Sequence, residues 1–218
     1  MTRETHNAKI NDINKKILRM SNGFIEQFEM SMEALKNNDL ELAKKAIDYD
    51  DKIDYLQKEI EEECIKFIAT EQPLAKDLRR VFTASKIVTD IERMSDHTVD
   101  VCKIAISNKR NSYIDEAKKL WLMQEKIIQM TRLAIKAYID RDFEFAYKIC
   151  RLDDEIDAMY NEVFDNVLAL IKKDDSKISL GTKLMFVSKY LERMGDHITN
   201  ICEWIIFIKN GEYVDLND

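Results

Sequence analysis

The chain has 218 residues, 45% of them hydrophobic and 34% charged, with a formal net charge of −7. That acidic balance argues against a general nucleic-acid binder, whose affinity rests on Lys and Arg neutralising phosphates. The longest apolar runs, such as Trp204–Ile208, fall far short of the ~20 residues a bilayer span needs.

Four glycines and one proline leave little turn chemistry, which favours a few long helices. In chain order, the pattern predicts a first helix over 7–36. A turn follows at Asn37, Asn38 and Asp39, with Asp39 as N-cap and Glu41 in the first turn. A second helix is expected over 40–69. Pro73 is placed in the first turn of the third, where its missing N–H is harmless, and that helix runs to about 107. The second half repeats the plan over 114–139, 142–172 and 178–209, with Gly211 just past the last helix end. On the second helix, Leu42, Ala46, Tyr49, Ile53, Leu56, Ile60, Cys64 and Phe67 share one face at 3.6-residue spacing. On the third, Ala84, Ile87, Val88, Ile91, Met94, Val99 and Cys102 do so. Cys64, Cys102, Cys150 and Cys202 show no CxxC spacing and are expected as buried, reduced thiols. The N-terminus lacks the apolar stretch of a secretory signal, so a cytoplasmic protein is expected.

The chain is written twice. Residues 91–103 (IERMSDHTVDVCK) match 191–203 (LERMGDHITNICE) at an offset of 100, and 34–54 match 137–157 at an offset of 103. Short connections between long helices imply antiparallel neighbours. The expected architecture is therefore all-α, a tandem duplication of a three-helix bundle with units at 1–110 and 111–218.

Four acid pairs recur at matching places: Asp50/Asp54, Glu92/Asp96, Asp153/Asp157 and Glu192/Asp196. Residues i and i+4 lie on one helix face, and like charges there repel by a few tenths of a kcal/mol. Repeating that choice in both halves asks for something that offsets the repulsion. A hard, oxygen-loving cation is the simplest candidate. Two charges ~4 Å apart interact by about 4 kcal/mol at an effective dielectric near 20, so a groove lined by two such pairs favours a bound ion. Each pair lies outside the apolar stripe of its helix. A solvated acidic face is the competing reading, and it dominates for any one pair alone. His97 and His197, one residue beyond Asp96 and Asp196, are assigned to surface or inter-helix hydrogen bonds. Arg79, Arg80, Arg93 and Arg193 are assigned to salt bridges with the acidic surface. No phosphate loop, HExxH or nucleophile–base pair is present.

These segments resemble a known family. IERMSDH (91–97) and LERMGDH (191–197) look like the two signature copies of the PhoU proteins. TEQPLAKDLRRV (70–81) looks like the segment that precedes the first copy, and NICEWIIF (200–207) like the last-helix ending. The resemblance implies a cytoplasmic, homodimeric accessory protein that negatively regulates phosphate uptake and the phosphate-starvation response. Its implied partners are the ATPase of a phosphate ABC transporter and a membrane sensor histidine kinase, which would hold it peripherally at the inner membrane face. It also implies metal ions (iron, zinc, manganese or magnesium). Carried over by position, the ligands are Asp50, Asp54, Glu92 and Asp96, then Asp153, Asp157, Glu192 and Asp196, with Asp100 and Asn200 assisting. Two departures stand out. Ser95 replaces the usual glycine and is expected to crowd a helix contact, and Asn200 replaces the acid matching Asp100, which weakens the second site. The runner-up reading is a metal-dependent hydrolase using the clustered carboxylates.

Overall fold

The computed structural model describes residues 3–108 and 118–216. The helices are α1 (Arg3–Asn37), α2 (Leu40–Glu71), α3 (Ala75–Ser107), α4 (Lys119–Asp140), α5 (Phe143–Cys150), α6 (Asp153–Lys173) and α7 (Ile178–Asn210), with a 3-10 turn at Asp175–Lys177. Among the described residues there is no strand. The expected start of the fourth helix at 114–117 lies outside the described residues.

Local chemistry sets the boundaries. Asp39 accepts from the backbone N–H groups of Glu41 and Leu42, both at 3.0 Å, after Asn38 turns the chain at φ 53°. The matching turn in the second half places Arg141 at φ 57° and caps α5 with Asp142 through Phe145 N–H. Gly211 closes α7 at φ 77°, a left-handed conformation that glycine adopts without a Cβ clash.

Two boundaries differ from expectation. Pro73 lies before α3, not in its first turn: Leu74 is the N-cap, and it contributes no side-chain hydrogen bond. The helix expected over 142–172 is interrupted at Arg151 and Leu152. There the N–H of Leu152 bonds to the Ile149 carbonyl at 2.9 Å and the N–H of Glu155 to the Leu152 carbonyl at 3.3 Å. This is i→i−3 bonding, a tightened turn placed just before Asp153.

In the first repeat, α1, α2 and α3 pack on one another; in the second, α4, α5 and α6 all pack on α7. The repeats meet where α3 lies on α7 and α1 on α4. One core runs through both, from Phe24, Phe28 and Ile91 to Met123, Leu191 and Ile205. All four cysteines are free and buried. On α3, Val101 is fully buried while Val99 is only partly so. The buried stripe continues through Thr98, Val101, Cys102 and Ala105, which displaces Val99 from the core.

Candidate metal centres and the cleft between the repeats

Both repeats place their acid pairs on facing helices. Asp50 and Asp54 on α2 look towards Glu92 and Asp96 on α3. Burial raises the Asp54 carboxyl above its usual range, and Asp50, Asp96 and Asp51 raise it further. Glu92 is raised by burial and then by Asp96, Asp54 and Asp50. In the second repeat, Asp153 and Asp157 on α6 face Glu192 and Asp196 on α7. Burial pushes Asp153 up to about 7, with Asp157, Asp196 and Glu192 adding to it. Asp196 rises to about 6, through burial first and then Glu192. Asp157 is raised by burial and by Glu192. Mutual repulsion within each set means that the four carboxylates of each repeat share one electrostatic site, as the repeated spacing predicts.

The two clusters are built differently. In the first, the Oγ of Ser95 lies 2.5 Å from both Asp50 Oδ1 and Gln27 Oε1. Gln27 Nε2 also donates to Asp50 Oδ1 at 3.2 Å. Ser95 and Gln27 are wholly buried. The crowding expected of Ser95 is thus replaced by a hydrogen bond to the carboxylate. In the second, the matching residue is Gly195, and a Cβ there would fall 2.2 Å from Asp153 Oδ1. The Asp153 carboxyl fills that space, accepting at Oδ2 from the Thr199 hydroxyl at 3.1 Å.

Each cluster carries its own cation. Arg93 reaches Asp96 at 3.3 Å and Glu92 at 3.6 Å, the salt bridge assigned to it above. Lys189 holds Glu192 at 2.6 Å. Asp100 pairs with Lys103 at 2.9 Å, and Asn200 donates to Asp90 at 3.4 Å.

Among the described residues, no three His, Cys, Asp or Glu side chains converge closely enough to hold a metal ion as they stand. The donor chemistry nevertheless suits a hard cation, since every acidic candidate offers oxygen. One structural sign agrees with it: Asp153 Oδ1 is buried without a hydrogen-bond partner.

Between the clusters, where α3 meets α7, lies a cleft of about 820 Å³ lined by matching residues of both repeats, including Arg93 and Arg193, Asp96 and Asp196, and His97 and His197. The two imidazole rings sit 5.7 Å apart. His197 Nδ1 is 3.0 Å from Asp90 Oδ1, the inter-helix hydrogen bond assigned to it. His97 stacks on Tyr190, and burial, then His197 and Arg193, lower its pKa to about 4. Gln27, Thr199, Lys189 and Asp90 escaped sequence reasoning. Gln27 and Thr199 sit on otherwise apolar faces, and only a polar residue at a core position could have signalled them.

The class of protein is thus a duplicated three-helix bundle that carries a paired acidic cluster in each repeat. The PhoU domain model matches residues 17–105 and 120–205, and the chain belongs to the PhoU family. It is 40% identical over its full length, and that of the relative, to a protein of Clostridium acetobutylicum named phosphate-specific transport system accessory protein PhoU homolog. It is 28% identical to the Escherichia coli phosphate-specific transport system accessory protein PhoU, over 94% of this chain and 86% of that one. The crystal structure of the phosphate transport system regulatory protein PhoU from Streptococcus pneumoniae superposes with a TM-score of 0.89 at 28% identity, over 96% of this chain and 99% of that one. PhoU from Pseudomonas aeruginosa gives 0.88, over 94% and 99%. This is a family of regulatory accessory proteins, not of enzymes, so the hydrolase reading falls away. No helix is long and apolar enough to cross a membrane among the described residues.

Proposed function

We propose that this protein is a negative regulator of phosphate uptake and of the phosphate-starvation response. It acts as a cytoplasmic homodimeric adaptor between the ATPase of a phosphate ABC transporter and a sensor histidine kinase, peripheral to the membrane through those partners. The observation that carries the reading is correspondence with relatives named as accessory proteins of phosphate transport, end to end with the Clostridium protein and over 94% of this chain with the Escherichia coli one.

The same reading gives the two acidic clusters a metal-binding role. Asp50, Asp54, Glu92 and Asp96 would hold one group of ions, and Asp153, Asp157, Glu192 and Asp196 the other, with Asp100 and Asn200 one helical turn further along. A bound cation would offset the burial and mutual repulsion that raise the carboxyls of Asp54, Glu92, Asp153, Asp157 and Asp196, shaping the surface offered to partners. The all-oxygen donor set supports magnesium, manganese or iron more than zinc.

Deleting the gene should raise phosphate-regulated transcription and uptake in phosphate-replete cells, and the intact gene should restore repression. Unchanged expression and uptake in the deletion strain would overturn the regulatory reading. Metal content of the purified chain and of an Asp96→Asn/Asp196→Asn variant separates the second part. Stoichiometric metal lost in a folded variant supports the clusters, and its absence after reloading reduces them to solvated charge.

A further inference from the structure

At the other end of the bundle, a separate cleft of about 730 Å³ opens between the start of α1, the α2–α3 connection and the α4–α5 turn, lined by His6, Gln72, Lys76, Asp77, Arg80 and Arg141 among others. Arg80 is twelve residues before Glu92 on α3, about 18 Å along the helix axis, so this is not part of the acidic clusters.

Arg80 forms its salt bridge with Asp77, and not with the paired acids of the clusters. It is 5% exposed, and a buried guanidinium normally has its charge matched and its five donors used. Among the described residues its hydrogen bonding ends at one contact, Asp77 Oδ1 at 3.3 Å. Arg141 lies near enough to add, after burial, to the downward pressure on its pKa. Lys76 and Arg141 are exposed, and no side-chain hydrogen bond or ion pair engages either among the described residues. The cleft thus gathers three cations beside one carboxylate. It also receives the first turn of α3, whose N-cap Leu74 offers no side-chain acceptor; the Asp77 and Leu78 N–H groups bond to the Leu74 carbonyl at 2.9 Å, which leaves those of Ala75 and Lys76 to face an anion. The feature draws on both repeats but is not duplicated: the residues matching Arg80 and Arg141 are Leu180 and Asn38.

We infer that this cleft is a binding site for a phosphate dianion, held by Arg80, Arg141 and Lys76 with the α3 N-terminus. Arg80 supplies a planar, multi-donor fork. Asp77 selects between tetrahedral oxyanions. Monohydrogen phosphate carries a hydroxyl that can donate to the carboxylate, whereas sulfate has none and would leave the two anions facing each other. That selection commits the site to free inorganic phosphate, because the dianion of a monoester, like sulfate, has no hydroxyl left to donate.

Calorimetric titration of the full chain tests this at constant ionic strength in EDTA, which keeps metal at the acidic clusters from reporting falsely. Inorganic phosphate should bind saturably at one site per chain, and sulfate at least about tenfold more weakly. Arg141→Asn and Arg80→Leu, each borrowing the residue of the other repeat, should each weaken phosphate by about tenfold or more, and Asp96→Asn should not. Phenyl phosphate, whose dianion has no hydroxyl, should bind about as weakly as sulfate, and its binding as tightly as phosphate would overturn the role given to Asp77. No saturable binding of phosphate, or binding untouched in a folded Arg141→Asn variant, overturns the inference.

Discussion

Asp153 is 8% exposed, and its carboxyl occupies the volume that any side chain at position 195 would need. Burial, then the neighbouring Asp157, Asp196 and Glu192, hold it at about 7, against an ordinary value of 3.8. A folded-state pKa raised above the unfolded one contributes stability that is complete below the unfolded value and is lost as pH rises through the folded value. In metal-free protein, stability should therefore decline between about pH 4 and pH 7 through this group. Asp153→Asn keeps the shape and removes the charge. It should leave the protein more stable than the parent at pH 8 by on the order of 2 kcal/mol, and no more stable at pH 4. Urea unfolding in EDTA at the two pH values measures this, and parallel profiles for parent and variant would refute the assignment. Ser95 on the other cluster illustrates what sequence alone conceals. A hydroxyl in place of glycine reads as crowding, and it becomes a hydrogen-bonding partner because the fold brings Asp50 and Gln27, forty-five and sixty-eight positions away, beside it.

The helices themselves were legible because they are long and amphipathic, and because Asp39, Asp142 and Gly211 mark their ends with local chemistry. The acid pairs were legible because helical spacing alone puts them on one face. What escaped depends on neighbours in space. The tightened turn at Arg151 and Leu152 carries no proline or glycine to announce it, and Arg80 makes the expected kind of salt bridge, with Asp77, while its burial depends on what packs over it. The segment after α7 is a further case. Glu203 is wholly buried, and burial raises its pKa. Its partners come from the residues beyond the helix: the Tyr213 hydroxyl donates to Oε2 at 2.5 Å and the Leu216 N–H to Oε1 at 2.6 Å. Tyr213→Phe removes a donor and strands a buried acceptor, which should cost about 1–3 kcal/mol. Replacing Glu203 by Gln in the same chain should recover part of that loss, since a neutral amide is cheaper to bury than a carboxyl that titrates. Equal destabilisation in the single and double variants, measured by chemical denaturation, would show that the tail contributes packing alone.

The duplication suggests two units in series, yet the apolar core passes without interruption from one repeat to the other, through α3 on α7 and α1 on α4. Elements that share buried surface lose stability together, so the molecule should unfold as one cooperative unit despite its repeated sequence. The chain supplies its own reporters. Trp121 on α4 and Trp204 on α7 are its two tryptophans, both in the second repeat, while far-UV circular dichroism reports helix throughout. Phe28 on α1 in the first repeat is fully buried and stacks on Phe24 with ring centroids 5.7 Å apart. Phe28→Ala should cost about 3–5 kcal/mol. If the core is shared, that loss appears undiminished in tryptophan fluorescence, with the fluorescence and dichroism midpoints falling together. If the repeats fold independently, dichroism separates into two steps and the fluorescence midpoint stays at the parent value. The shared core predicts the first result, and it carries a functional consequence: a ligand that stabilises either acidic cluster raises the stability of both repeats, because a molecule with a single transition has no means of confining the gain to one.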